Sequence, residues 1–299
     1  MFRSLGVFGA LAAKSPARRF LDGNHRLVPG KASADAKRAA RYHSRMGLGR
    51  RAVRVSDASA WVFNRMADAY AARPAYPAAL IDALIALAPT RDARIGELGA
   101  GIGHVALPLA AHGFAVTAVE PAQVMLDRLR QTAADRGIQL RTLHAAAESL
   151  PLPAASFELV IVADALHFVD AELTAREVAR VLAPRGALAV VSCEFADTPF
   201  MRSVTRVMEE AAPRRPRQTE QASAQLAALL NVTRQREQEF HDATPVDAET
   251  LERILRSISF IGPAMNPERA AAFHARIRAL PGPRLWARKF GLRSGSRRG

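Results

Sequence analysis

Between residues 93 and 192, apolar blocks of six or seven residues alternate with stretches of helical periodicity. No other feature restricts the fold of this chain as strongly. Ala93 to Leu98, Ala115 to Glu120, Gln139 to Ala145, Phe157 to Ala163 and Gly186 to Ser192 read as strands. His104 to His112, Ala122 to Asp135 and Leu173 to Leu182 read as helices between them. Pro108 sits early enough in the first helix to be tolerated, and Pro184 and Gly186 end the last. Phe157 to Ala163 and Gly186 to Ser192 are almost wholly apolar, as expected of strands covered on both faces. Strands and helices alternating at this spacing predict an α/β fold, a doubly wound and mostly parallel sheet.

The chain has 299 residues, 49% of them hydrophobic, which suits one domain of about 200–250 residues with appendages. One cysteine, Cys193, excludes a disulfide framework within the chain and a Cys-rich zinc module. No apolar run approaches the ~18 residues of a membrane span, so a cytoplasmic location is expected. The net charge of +14 is unevenly spread. Residues 1–55 hold thirteen Lys/Arg and two acids, and residues 281–299 hold six Lys/Arg and no acid, while the rest is nearly neutral. Basic tails beside a neutral body make nucleic acid an unfavoured partner, because a phosphate-binding footprint usually lies on the folded face that reads it.

Residues 1–55 are expected to be a disordered basic extension. A targeting segment, or a translation start as late as Met46, would also account for them. Residues 56–290 form the expected domain, with a ligand-binding core over 93–192. Asp57 or Ser59 can cap a helix through Trp61, Phe63, Met66, Ala67 and Tyr70, and Ala78 to Leu87 forms another. Residues 193–240 break the alternation with helices at Phe200 to Ala212 and Glu220 to Leu230, around the basic link 213–217. They are expected to cap the substrate side of the sheet's carboxyl edge. Thr250 to Ile258 reads as helical, Arg284 to Phe290 as an antiparallel edge strand, and 291–299 as a disordered basic tail.

The chemistry starts at Glu97-Leu98-Gly99-Ala100-Gly101-Ile102-Gly103, which follows a strand and opens a helix. Glycines there allow positive φ and close backbone approach, and the helix start offers free N–H groups. The third glycine falls at 103, and His104 occupies the place where a nicotinamide dehydrogenase would carry it. Glu120 ends the second strand, twenty-one residues after Gly99. A carboxylate so placed can accept both hydroxyls of a ribose lying over the glycine turn.

Together these segments resemble the class I S-adenosylmethionine-dependent methyltransferases, whose fold is Rossmann-like. Glu97 to Gly103 is similar to that family's first motif, and Ala118-Val119-Glu120-Pro121 to its second. Ala147-Glu148-Ser149-Leu150-Pro151 with Ser156 to Leu159 resembles the approach to the fourth strand, and Glu177 to Gly186 the helix and turn before the fifth. The resemblance covers residues 56–192 well. Its closest tone is that of the small-molecule branch, like the ubiquinone/menaquinone and trans-aconitate methyltransferases, which the segments 70–77 and 165–168 also suit.

The resemblance implies S-adenosylmethionine as methyl donor, with Glu97, Gly99, Ala100, Gly101, Gly103, Glu120, Pro121, Ala146, Ala147, Glu148 and Ala163 around it. Many relatives carry Asp where this chain has Ala146, so adenine would rely on backbone groups and apolar contact. His167 is the candidate general base or acceptor-positioning residue, and Tyr70, Arg73, Tyr76 and Phe168 are candidate lid and substrate residues. Arg73 would pair with the donor's carboxylate or with an acidic substrate. Methyl transfer needs little acid–base help, because alignment and exclusion of water supply most of the acceleration.

The expected acceptor is a small molecule. One alternative is an RNA or protein methyltransferase docking through its basic tails, and another is a non-catalytic S-adenosylmethionine- or nucleotide-binding protein. Cys193 after the fifth strand reads as an inert cysteine. The segment Asp164-Ala165-Leu166-His167 carries neither Pro-Cys nor Asn-Pro-Pro-Tyr, which argues against methylation of nucleic-acid bases. The eight histidines lack ligand spacing, so no metal is expected.

Overall fold

The computed structural model describes residues 62–297 apart from 213–222, 225, 227, 229–231, 260 and 263–264. A 3₁₀ turn (Val62–Arg65) and α1 (Ala67–Tyr70) lead to α2 (Ala78–Ile85). The core follows as β1 (Arg94–Leu98), α3 (Ala106–Ala111), β2 (Ala115–Val119), α4 (Gln123–Asp135), β3 (Arg141–Leu143), β4 (Phe157–Ala163), α5 (Ala171–Val181) and β5 (Leu182–Phe195). The chain continues through α6 (Pro199–Ala211), β6 (Val232–Pro245), α7 (Ala248–Arg256), α8 (Pro267–Arg278) and β7 (Leu285–Arg297).

Seven strands form one sheet in the order β3-β2-β1-β4-β5-β7-β6. β1 pairs in parallel with β2 and β4, β2 with β3, and β4 with β5. β7 runs antiparallel to both of its neighbours. The strand order reverses at β1, whose carboxyl end therefore opens a crevice beside β4, where such sheets bind ligands. The alternating-block reading thus holds for the core, and both apolar runs are covered on two faces as expected. On one face Leu80, Leu84 and Leu109 pack on Ile95, Ile161 and Ala189. On the other, Val178 and Val181 of α5 pack on Val160, Val162 and Val190. Burial of each such side chain contributes about 1.5–3 kcal/mol.

The helices after β5 build a third apolar cluster. Met201 and Val204 of α6, Leu251 and Ile254 of α7, and Phe273 and Ile277 of α8 enclose Trp286 and Ala287 of β7. Side-chain caps set where these helices begin. Thr198 accepts from the Met201 N–H (3.2 Å), Asp247 from Thr250 (2.6 Å) and Asn266 from Arg269 (2.9 Å), each worth about 1 kcal/mol. Pro199 and Pro267 start α6 and α8, where a missing N–H costs nothing.

Three expectations are corrected by the structure. Residues 232–240, expected in a substrate cap, form the first part of β6. β6 is the true edge strand, and the strand expected at the edge, β7, lies inside the sheet between β5 and β6. Residues 291–297, expected as a tail, continue β7, where Leu292 is fully buried. The physical reason is shared. β6 has a largely solvated sequence, Val-Thr-Arg-Gln-Arg-Glu-Gln-Glu-Phe, so it lacks an apolar signature, and its pairing with β7 makes the polar residues of both strands mutually satisfied. Glu237 pairs with Arg293 (2.9 Å) and Glu239 with Lys289 (2.8 Å) across the ladder. The expected helix start at Asp57 or Ser59, the basic link 213–217 and residues 1–55 lie outside the described residues. No helix among the described residues is long and apolar enough to cross a membrane.

Candidate functional site

The crevice is built from the carboxyl ends of β1, β2 and β4. After β1 the chain turns sharply, and the N–H groups of Gly99 and Ala100 both donate to Val119 O (2.9 and 3.0 Å). Gly99 adopts φ +74°, and a Cβ there would stand 2.6 Å from the Ala165 Cβ at the tip of β4. Only glycine lets the two strand ends close. Gly101 is also left-handed, at φ +56°, but a Cβ there would have nothing within 4 Å. The turn therefore presents bare backbone to open space. Gly103 ends it by donating to Ala100 O (2.9 Å), and α3 follows.

Glu120 points into this turn from the end of β2. One carboxylate oxygen accepts from the Gly101 N–H and the other from the Ala122 N–H, each at 2.8 Å. A carboxylate has about four lone-pair sites, so each oxygen keeps capacity for another donor. Burial pushes the Glu120 carboxyl up to about 7, against the two N–H groups that favour its ionised form. Glu97 is 2% exposed, and its Oε2 makes no hydrogen bond among the described residues. Burial, opposed by the Ala106 N–H and helped by the charge of Glu120, pushes Glu97 up to about 8.

These two raised carboxyls give stability a definite slope. At these two groups the folded chain holds more protons than the unfolded chain between about pH 4.5 and pH 8. Their contribution to stability is thus fully present below the unfolded value and is lost as pH rises through the folded ones. Glu97→Gln removes one contributor. Its melting temperature is expected to exceed the wild type's by about 3 °C or more at pH 8.5 and to converge with it near pH 4.5, read by thermal unfolding across pH. Equal slopes in the two proteins would contradict the assignment.

A run of ring contacts links the residues after β4 to those after the glycine turn. His167 packs on Phe168 (3.9 Å between centroids), and Phe168 meets Phe63 edge-on (4.9 Å). Phe63 continues to Tyr70 (6.4 Å), Tyr70 stacks with His104 (6.2 Å), His104 faces Tyr76 (6.0 Å) and Tyr76 faces Phe290 (5.1 Å). The structure therefore brings His167, Phe168, Tyr70 and Tyr76 into one run of ring contacts and adds His104, which the sequence marks only as the start of a helix in place of a third glycine. Burial, then the Arg73 and Arg288 guanidinium groups, hold the His104 imidazole down to about 4, so it is neutral near pH 7.

Arg73 lies 3.9 Å over the Tyr70 ring. Its Nε donates to Ser257 Oγ (2.6 Å), one Nη to Ser257 O (2.8 Å) and the other to the Tyr70 hydroxyl (3.0 Å). Two of its five N–H groups reach Ser257 at the end of α7 and a third the Tyr70 hydroxyl on α1; the other two make no hydrogen bond among the described residues. The Ser257 partner is 184 positions away, so no local pattern in the sequence could show it.

The adenine-side segment divides. Ala147 is buried against the sheet, Ala163 is buried at the end of β4, and the Ala146 carbonyl accepts from Ser149 in a tight turn (3.1 Å). The Pro121 carbonyl lies 3.0 Å from His144 Nε2. Glu148 Oε1 accepts from the Asp170 N–H at the start of α5 (2.9 Å). Among the described residues, no group of three His, Cys, Asp or Glu is placed to hold a metal ion.

Residues 96–190 match the family described as a methyltransferase domain. An uncharacterized methyltransferase of Mycobacterium tuberculosis is 41% identical over 119 residues, 40% of this chain and 46% of that one. The demethylmenaquinone methyltransferase of Thermus thermophilus is 39% identical over 109 residues, 36% of this chain and 49% of its own. The chain thus spans about half the length of the curated relatives it matches. A solved structure of a proposed type II methyltransferase from Anaeromyxobacter dehalogenans superposes with a TM-score of 0.52 at 22% identity, covering 75% of this chain and 97% of the other. A proposed methyltransferase of an antibiotic biosynthesis pathway in Anabaena variabilis gives 0.52 at 20%, covering 71% and 96%. Both likenesses concern the fold.

Proposed function

We propose that this chain, whose residues 96–190 form a methyltransferase domain of the class I fold, transfers a methyl group from S-adenosylmethionine to a small-molecule acceptor. The observation that carries the reading is the clasp of Glu120 on the Gly101 N–H, beside a position where even a Cβ would meet nothing within 4 Å. A ribose needs both features: a carboxylate with spare lone pairs for its hydroxyls, and a backbone without a side chain in the way. Glu97 Oε2, which makes no hydrogen bond among the described residues, suits a cationic or amine end of the same ligand. When bound, the donor supplies a methyl group on a sulfonium, already a good leaving group.

The chain's own residues then bind and orient. Glu120 holds the sugar, and the backbone from Gly99 to Gly103 gives it room. Ala146 and Ala147 with Ala163 line the adenine side through backbone and apolar surface. Pro121 fixes the turn after β2. Glu148, whose Oε1 also accepts from the Asp170 N–H, lies in the same segment. The two remaining N–H groups of Arg73 suit a carboxylate. His167, on the ring wall with Phe168, orients the acceptor or takes its proton, and the wall excludes water. A wall of rings with a few convergent polar groups suits a small molecule.

Calorimetry tests the reading. S-adenosylmethionine and S-adenosylhomocysteine are expected to bind one per chain and NAD not to bind. Transfer of labelled methyl to at least one member of a panel of phenols, amines and thiols is expected as well. Binding without turnover on every acceptor would favour a non-catalytic binding protein, and preferential binding of NAD would overturn the reading.

A further inference from the structure

Arg73 follows the short helix that lies on the glycine turn. Met66 and Ala67 of α1 form one apolar cluster with Ile102 of that turn and with Ala122 and Met125 at the start of α4. Asn64 Oδ1 accepts from the Val124 N–H at the same helix start (3.1 Å). α1 has only four residues, too few to hold a long side chain beyond its end in one direction. Arg73 takes its orientation from α7 instead, through Ser257, the residue that ends that helix and is 0% exposed.

The Ser257 hydroxyl gives its single hydrogen to Ile254 O inside α7 (2.5 Å), so toward Arg73 it is an acceptor only. Nε and Nη2 share one edge of the planar guanidinium, and Ser257 engages that edge with its Oγ (2.6 Å) and its carbonyl (2.8 Å). That carbonyl stands at the C-terminal end of α7, where a helix leaves acceptors unpaired and favours a cation. Nη1 donates to the Tyr70 hydroxyl (3.0 Å), and the guanidinium carbon lies 3.9 Å over the Tyr70 ring. Position and plane of the cation are thus both fixed. One N–H on Nη1 and one on Nη2 make no hydrogen bond, and the guanidinium has no ion-pair partner, among the described residues. A part-buried cation held in this way, with two donors to spare, suits a carboxylate. The Tyr70 ring stacks in turn with His104, the residue after Gly103 (6.2 Å), so the cation is one ring contact away from the glycine turn.

We propose that Ser257 is a positioning residue, which holds Arg73 ready for the carboxylate at the amino-acid end of the methyl donor. The proposal rests on the cofactor reading above and deepens it. It assigns the carboxylate to the donor rather than to an acidic acceptor, for two reasons. Arg73 follows the helix clustered with the glycine turn, and Glu97 Oε2, which makes no hydrogen bond among the described residues, suits the amine of the same zwitterion. Ser257 touches no ligand and acts through Arg73. Donor binding then depends on α7, which lies outside the methyltransferase domain at residues 96–190.

The test compares S-adenosylhomocysteine with methylthioadenosine, which keeps the adenosine and the sulfur but lacks the amino acid, by calorimetry on the full chain. The wild type is expected to bind S-adenosylhomocysteine at least about tenfold more tightly, the effect of charge-assisted hydrogen bonds to one carboxylate. Ser257→Ala is expected to weaken S-adenosylhomocysteine at least about fivefold and to leave methylthioadenosine within about twofold of the wild type. Arg73→Ala is expected to abolish the preference, and adding Ser257→Ala to it should change neither affinity further, because the two residues act as one unit. A residue that only braced α1 on α7 would weaken both ligands together, and methylthioadenosine reports this even where a variant melts lower. S-adenosylhomocysteine binding no tighter than methylthioadenosine in the wild type, an unchanged preference in Ser257→Ala, or a further loss of preference in the double variant would overturn this proposal. The cofactor reading would survive each of these results, since methylthioadenosine still binds. Failure of both ligands to bind the wild type would overturn the cofactor reading and this proposal with it.

Discussion

Glu120→Gln is expected to weaken S-adenosylhomocysteine binding by about a hundredfold, and by about tenfold if only one ribose hydroxyl reaches the carboxylate. A hydrogen bond to a charged group contributes about 1.5–3 kcal/mol, and two hydroxyls are available. The amide cannot replace the carboxylate, because both oxygens already accept backbone N–H groups, from Gly101 and from Ala122. Glutamine keeps one oxygen and turns an NH₂ toward a donor, so one N–H loses its partner and one hydroxyl meets a donor. Folding should survive, since the substitution removes a buried charge whose pKa is pushed up to about 7. Wild-type affinity is expected to rise with pH through that value, as the carboxyl ionises and becomes the stronger acceptor. The same titration in Glu120→Gln should be flat. Calorimetry across pH 6 to 9 on both proteins, beside their melting curves, reads all three effects. Equal affinities in the two proteins would leave Glu120 a mere brace for the turn.

The glycine turn yields the second large effect, as a contrast between neighbours. Gly99→Ala places a Cβ 2.6 Å from the Ala165 Cβ while demanding φ +74° of an alanine. Strain of about 1–2 kcal/mol for the backbone adds to the clash. A total of about 2–4 kcal/mol corresponds to a melting point lower by roughly 5–12 °C at this domain size. Gly101→Ala faces the backbone cost alone, because its Cβ meets nothing within 4 Å. Its melting point should fall by only about 2–4 °C. Yet the added methyl occupies the space in front of the Glu120 clasp, so S-adenosylhomocysteine binding should fall at least tenfold, the loss of about one good contact. Stability thus belongs to one glycine and binding room to the other. If Gly101→Ala bound as well as the wild type, the open space beside it would not be where the ligand lies.

What the amino-acid pattern revealed and what it hid follow from how each element is buried. β1, β2, β4 and β5 are covered on both faces, so their apolar runs stand out, and Glu120 is legible because it closes such a run. β6 has mostly exposed residues and its partners are charges on β7, so nothing in its own sequence marks it as a strand. The amino-acid pattern marks β7 only as far as Phe290, because Gly291, Ser294, Gly295 and Ser296 have the composition of a tail and are strand only where β5 and β6 flank them. At the site, motif positions such as Gly99, Gly101 and Glu120 were readable from spacing. His104 and the Arg73–Ser257 tie were not, since their neighbours come from distant parts of the chain.

A crystal structure of the chain with S-adenosylhomocysteine tests the central claim most directly. The account predicts the adenosyl group in the crevice at the ends of β1 and β2, with its ribose hydroxyls on Glu120 and its sugar over Gly101. Density for the ligand elsewhere, or a Glu120 carboxylate that keeps only its two backbone donors while the ligand sits in place, would contradict it.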